Sequence, residues 1–287
     1  VDGIGPVLTN ISGPVAATYT ETNQLNFTAT YSEAVTITGS PQLVLNIGGV
    51  TKYANYVSGS GSTNVIYRYT VEPGLSDKDG VQVTAHILNS GTIEDSATNP
   101  ANLTLTPMNF ASVLVDSRGP VITSITPPTN GTRVSGQSLS FTVLFDENVT
   151  VSGGSPTLPL DIDGTVLNAT YVSGSGSNSL VFTTSALTAN HFDPGGITYS
   201  GTSLVLNGAT MRDSLNYDAD LTFSPGDLSG IKVIYSEVVS WLDVSTHPGS
   251  NGSTITTLTD QTAAGNSATS NAGVVTKITT DAGLSNK

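Results

Sequence analysis

Apolar and polar residues alternate along many short stretches of this chain. In Leu25-Asn-Phe-Thr-Ala-Thr-Tyr31 every second side chain is apolar, the period of a strand with one buried face. Similar short apolar or alternating stretches predict strands over residues 43–47, 65–71, 81–87 and 113–115, and again over 139–145, 158–162, 180–184, 204–206 and 231–234. Gly48-Gly49, Ser58-Gly-Ser-Gly61, Asp79-Gly80, Asp163-Gly164 and Pro194-Gly-Gly196 punctuate them, all sequences that turn a chain back on itself. No stretch follows the helical period. About seven or more short strands per unit, each with a buried face, predict an all-β sandwich architecture.

The pattern occurs twice. Asp2-Gly-Ile-Gly-Pro-Val7 returns as Asp116-Ser-Arg-Gly-Pro-Val121, and Phe27-Thr-Ala-Thr-Tyr-Ser-Glu-Ala-Val-Thr36 as Phe141-Thr-Val-Leu-Phe-Asp-Glu-Asn-Val-Thr150. Tyr56-Val-Ser-Gly-Ser-Gly-Ser62 is identical to residues 171–177, and Glu94-Asp95-Ser96 lines up with Arg212-Asp213-Ser214. The spacing drifts from 114 to 118 residues along the chain, as it does when loops change length and strands do not. A period of that size is a domain rather than a solenoid unit.

Tyr31-Ser-Glu-Ala-Val-Thr-Ile-Thr-Gly-Ser-Pro-Gln-Leu-Val-Leu-Asn46, with Tyr-Val-Ser-Gly-Ser-Gly after it and Asp95-Ser-Ala-Thr-Asn99 further on, resembles the bacterial Ig-like repeats of large surface adhesins and exoproteins. The resemblance covers roughly residues 1–235. It implies two tandem immunoglobulin-like β-sandwiches, over 1–117 and 118–235. Met211-Arg-Asp-Ser-Leu-Asn216 departs from the pattern as a shortened form of the Asp-x-x-x-Asn loop. After Tyr235 the register breaks. Ser240-Trp-Leu-Asp-Val-Ser245 and Ala264-Gly-Asn-Ser-Ala-Thr269 are similar to the opening of a concanavalin-like, LamG-type jelly roll. Residues 236–287 are too few for a complete one, so they read as a short or truncated C-terminal β segment or a fibre extension. Trp241 lies between Val239 and Leu242 and is expected in a core rather than on a sugar-stacking surface.

Composition narrows the function. Twenty-two acidic residues face 9 basic ones, a net charge of −13, so a phosphate backbone is repelled and a nucleic-acid partner is not expected. There is no cysteine, hence no disulfide and no thiolate site. No apolar run reaches membrane-spanning length. The chain opens on Val1-Asp2 without Met and is expected to be a segment of a longer protein.

The acidic surface directs attention to hard cations. Ca²⁺ takes several oxygens from carboxylates, carbonyls and amides. In a sandwich, the entering chain, the return of the second long strand and the turn before the last strand share one end. This gathers Asp116, Glu147 and Asp213 at the junction between units. Asp2, Glu33 and Asp95 form the equivalent group at the outer end of the first unit. Calcium, which would stiffen the linker, is the candidate ligand; the alternative is that each Asp starts a turn, each Glu solvates a loop and Asp95 makes an Asx-turn with its own backbone. Asp161-Ile-Asp-Gly164 and Asp77-Lys-Asp-Gly80 look like calcium-loop fragments but are expected to be ordinary turns. His86, His191 and His247 have no partner at metal-binding spacing, and neither a G-x-S-x-G elbow nor an H-E-x-x-H motif occurs.

These readings imply a non-enzymatic structural or adhesive segment of a secreted or cell-surface bacterial protein. A monomeric stalk or homotrimeric fibre would present a recognition domain to a host, prey or matrix surface, with a glycan as one candidate ligand. The alternatives are a calcium-dependent glycan-binding module and an accessory part of an extracellular polysaccharide-degrading enzyme.

Overall fold

The computed structural model describes residues 3–235 and, beyond them, only the backbone of a short antiparallel ladder between Thr257–Thr259 and Ser267–Thr269. Asp2, and the expectations placed on residues 236–287 with Trp241 and His247 among them, lie outside the described residues.

The fold is all-β, and its strands recur in order. The first set is β1 (Leu8–Ser12), β2 (Ala17–Tyr19), β3 (Gln24–Thr38), β4 (Gln42–Ile47), β5 (Val50–Ser58), β6 (Ser62–Thr70), β7 (Ser76–Asp77), β8 (Val81–Ile87), β9 (Thr92–Glu94), β10 (Met108–Phe110) and β11 (Val113–Asp116). The second is β12 (Ile122–Thr126), β13 (Gly131–Arg133), β14 (Ser140–Gly153), β15 (Thr157–Ile162), β16 (Thr165–Ser173), β17 (Ser177–Thr184), β18 (Thr198–Tyr199), β19 (Ala209–Arg212) and β20 (Ile231–Val233).

In the first set the main sheet runs β1-β3-β6-β5-β4-β8-β10, with β9 on the far end of β3, and a small sheet runs β2-β11-β7. In the second, β12-β14-β17-β16-β15-β18 forms the main sheet, with β19 on β14, and β13 pairs β20. Alternation decides which faces meet. Leu25, Phe27, Ala29 and Tyr31 of β3 join Leu43, Leu45, Val65 and Tyr67 in one core, and Val113 and Val115 of the small sheet pack into it. Phe141, Val143, Phe145, Leu158, Leu160 and Phe182 build a second core, closed by Ile231 and Val233. Each set is a β-sandwich around its own core.

The predicted turns take the geometry their residues favour. Gly48 and Gly49 have φ of 56° and 85°, and Asp163 and Gly164 have 49° and 81°. Two consecutive left-handed residues make the tight hairpin that matches strand twist. Asp161 serves one of these turns, its Oδ1 accepting from the Gly164 N–H at 2.7 Å. Asp77 is 2% exposed and accepts from the backbone N–H groups of Gly80, Asp79 and Gly48 at 2.7, 3.2 and 2.8 Å. Its carboxylate is spent on loop backbone. In place of the expected strand over 204–206 there is a single isolated bridge, Val205 with Thr157, preceded by one between Ser203 and Thr222.

Two features position the junction. The pairing of β3 shifts between Thr30 and Val35, and that of β14 shifts between Leu144 and Val149. Such irregularities bend a strand and re-aim its side chains; Glu33 and Glu147 sit within them. The linker is also tied down on both sides. Ser117 Oγ donates to the Glu72 carbonyl at 2.7 Å and accepts from the Leu75 N–H at 3.0 Å. Gly119 packs so closely on the second unit that a Cβ there would lie 1.9 Å from the Asp218 carbonyl oxygen. The Asp220 N–H then bonds the Pro120 carbonyl at 2.8 Å.

Candidate metal centre

Three elements deliver carboxylates to the junction. Asp116 ends β11, Glu147 lies in the irregularity of β14, and Asp213 follows β19. One oxygen from each falls within 4.8 Å of the other two. Two oxygens on opposite sides of a bound Ca²⁺ lie about 5 Å apart, because each Ca–O bond is about 2.4 Å. The three are therefore spaced to share one such ion.

Each of the three residues also has an oxygen that nothing else uses. Among the described residues, four buried side-chain oxygens have no hydrogen-bond partner; three are Asp116 Oδ1, Glu147 Oε1 and Asp213 Oδ2. Asp213 is 6% exposed. Buried acceptors left without a donor are costly, and a cation shared by the three carboxylates would satisfy them. Burial first, and the neighbouring Asp213 second, push the Asp116 carboxyl above the usual range. Burial and then Asp116 raise Glu147 to about 6. These are the shifts expected where anions are crowded together without a counter-ion.

Asp146, next to Glu147, acts differently. Its Oδ1 accepts from the Val121 N–H at 2.8 Å, and its Oδ2 takes Arg118 Nη2 at 2.6 Å and Lys78 Nζ at 3.3 Å. Lys78 also donates to the Asp146 carbonyl at 2.8 Å, crossing from the first unit to the second. Burial disfavours the Asp146 charge, but the Val121 N–H and the two cations outweigh it and hold its carboxyl below the usual range. Four carboxylates against Lys78 and Arg118 leave two uncompensated negative charges, the charge of one divalent ion.

The loop after β19 explains why Asp213 is available. In the first unit Asp95 Oδ1 accepts from the N–H groups of Ala97 and Asn99, both at 2.8 Å, and Oδ2 accepts from Asn99 Nδ2 at 2.7 Å. Those donors overcome the effect of burial and hold the Asp95 carboxyl below its ordinary range. In the second unit Asp213 Oδ1 accepts from Leu215 and Tyr217 N–H at 2.8 and 2.9 Å, the same closure. Thr98 and Asn216 both take the left-handed conformation, at φ of 67° and 69°. The loop is not shortened, as the sequence suggested; it has the same length, with Tyr217 where the first unit has Asn99. Losing the amide donor leaves Asp213 Oδ2 free. The Tyr217 hydroxyl instead accepts from the Glu21 N–H of the first unit at 3.3 Å.

Of the six acidic residues singled out in the sequence, the structure brings Asp116, Glu147 and Asp213 together. Glu33 holds on β3 the position that Glu147 holds on β14. Asp95 is buried with both oxygens used, and Asp2 is outside the described residues. Sequence reasoning passed over Asp146, Lys78, Arg118 and Tyr217. The signal for Tyr217 was present, since it stands at the same spacing from Asn99 as Asp213 does from Asp95.

His86 is a core residue, 7% exposed, and His191 Nδ1 accepts from the Thr188 N–H within a turn at 3.0 Å. No helix of the described residues is long and apolar enough to cross a membrane. Compared with models of known protein families and with curated proteins, the chain matches none.

Proposed function

We propose that this chain is a non-enzymatic structural segment of a secreted or cell-surface protein, in which two β-sandwiches are locked end to end by a divalent cation. Calcium fits the donors best. They are all oxygens, as a hard cation prefers, and three carboxylates on three separate segments suit the adaptable geometry of Ca²⁺ better than the strict octahedron of Mg²⁺. The observation that carries this reading is that three carboxylates meet at the linker between the units and each has a buried oxygen without a hydrogen-bond partner. The clamped linker supports it, because a chain fixed by Ser117 on one side and Gly119 on the other already limits swivelling. The quoted motifs, similar to bacterial Ig-like repeats, supply the adhesin context: a stalk, single or in a homotrimeric fibre, that holds a recognition element away from the surface.

Thermal melting of the chain with excess calcium and with a chelator tests this. A ligand held only by the folded state stabilises it by about 2.7 kcal/mol at a hundredfold excess over Kd. The melting temperature is expected to rise with calcium and fall with chelator, and the Asp213→Asn variant to lose the difference. A wild-type melt unaffected by either addition would remove the cation from this reading.

A further inference from the structure

The outer face of the first main sheet carries a row of long polar side chains that the second sheet lacks. Gln42, Asn55, Arg68 and Asn26 are direct cross-strand neighbours on β4, β5, β6 and β3. With strands spaced about 4.8 Å apart, the row is about 14 Å long, the span of a short oligosaccharide. Gln42 Nε2 donates to Asn55 Oδ1 at 2.8 Å, and Arg68 Nε donates to Asn26 Oδ1 at 2.7 Å. Those bonds tie neighbouring side chains of the face together across the strands. They leave both Arg68 Nη groups, Asn55 Nδ2 and Gln42 Oε1 for a ligand.

Gln42, Asn55 and Arg68 of the row line a cleft of about 710 Å³ with Tyr53, Val57 and Tyr69. Tyr53 is 46% exposed, a ring surface on which a sugar can stack. Tyr69 is 5% exposed, and its hydroxyl has no hydrogen-bond partner among the described residues. The charge of the cleft is unusual for this molecule. Lys52 pairs with Glu72 at one side, but Arg68 bonds only a neutral amide and makes no ion pair among the described residues. No carboxylate stands in the row, although the chain has 22 acidic residues.

The second unit is a natural control. Thr157, Thr170, Thr183 and Ser140 form the corresponding row in the same register, and Asn168 takes the place of Tyr53. The second sheet forms without the long side chains, so the fold itself does not call for them in the first. Exposed Tyr53 and Val57 stand beside these amides and the guanidinium, so the face combines a stacking surface with hydrogen-bonding groups, as a sugar chain requires. We propose that the outer face of β4, β5 and β6 is a binding site for a carboxylate-bearing saccharide chain. Arg68 takes the carboxylate through its Nη groups, Asn55 and Gln42 bond ring hydroxyls, and Tyr53 stacks on a sugar face.

This site is separate from the junction and is tested without divalent cations, so that calcium bridging contributes nothing. Titration of the whole chain with polygalacturonate, alginate and hyaluronate oligosaccharides is expected to show binding to at least one of them and none to dextran oligosaccharides. Arg68→Thr and Tyr53→Asn import the residues of the second unit, which that scaffold already tolerates. Each is expected to weaken binding by at least about tenfold, whereas Asp213→Asn leaves it unchanged. The proposal is overturned by absence of binding to all three acidic saccharides, by equal binding to dextran or to polyglutamate, or by affinity that neither variant in the row alters while both remain folded.

Discussion

Single side chains separate two units that share a backbone plan. Tyr217 in place of Asn99 removes the donor that would satisfy Asp213 Oδ2 and adds a contact to Glu21 across the junction. Tyr217→Asn is therefore expected to let the loop satisfy its own carboxylate, as Asp95 does, and to abolish most of the calcium-dependent rise in melting temperature. Tyr217→Phe loses only the cross-unit hydrogen bond and should keep that rise; calorimetric titration of the two variants tells them apart. A second exchange lies in the cores. His86 is held between the hydroxyls of Tyr67, at 2.8 Å from Nε2, and Tyr31, at 3.4 Å from Nδ1. A neutral ring offers one donor and one acceptor, so it serves both hydroxyls. The second unit has Phe182 and Phe145 in place of the tyrosines and Leu204 in place of the histidine, a matched swap of three polar groups for three apolar ones. Burial lowers the His86 pKa from 6.5 to about 4. Between those values the unfolded chain binds a proton that the folded chain refuses, so stability falls as pH drops through this window, by up to about 3 kcal/mol. Denaturant melts of wild type from pH 7 to pH 4 should show that loss, and the Tyr31→Phe, Tyr67→Phe, His86→Leu triple variant should lack its share of it.

Strands and turns carry the architecture, and here sequence pattern reached far but unevenly. Strands β3, β4, β6 and β8 were legible because a one-sided core imposes a period of two on them. β5 and β16 were not, although they are nine residues long. Each contributes few buried side chains, Ala54 and Ala169 being the fully buried ones, and a small apolar residue among Thr, Asn and Tyr gives a weak alternation. Leu204-Val-Leu206 looked like a strand because it is an apolar run, yet it meets β15 only through Val205 at Thr157, while β18 pairs with Leu160 and Asp161 further along. The candidate site was half legible: the repeat placed its three acids at one end of the sandwich, but which oxygens remain unpaired depends on hydrogen bonds that the spacing of acids does not encode. Turn glycines give a test at this scale. Gly48 and Gly49 both have positive φ, but a Cβ on Gly48 would lie 1.9 Å from the Ser76 carbonyl oxygen, whereas one on Gly49 meets nothing within 4 Å. Gly49→Ala is expected to cost about 1 kcal/mol for its backbone conformation alone. Gly48→Ala must in addition push β7 from the hairpin and break the Asp77 bond to the Gly48 N–H, about 3 kcal/mol or more in total, as chemical denaturation of the two variants would show.

At the scale of the whole molecule the question is what sets the angle between the units. The clamped linker acts there, and in the proposed function a bound cation acts at the same place. The linker is clamped by Ser117 to the first unit and by Gly119 to the second, and these contacts exist whatever ions are present. In the proposed function the acidic cluster adds a second, cation-dependent term: without the ion, Asp116 of the first unit repels Glu147 and Asp213 of the second, and a bound ion would draw all three to one centre. Lys78 and Arg118 on Asp146 offset only part of that repulsion. The two terms separate in a distance measurement. The chain has no cysteine, so Ser12→Cys and Ser140→Cys, both exposed and one in each unit, place a single pair of spin labels. With calcium the distance distribution should be narrow, and on chelation it should broaden. Asp213→Asn should give the broad distribution under both conditions. Gly119→Ala, which forces the linker off the Asp218 carbonyl, should broaden it even with calcium bound. A wild-type distribution equally narrow in both conditions would assign the rigidity to the clamped linker alone and leave the cation without a mechanical role.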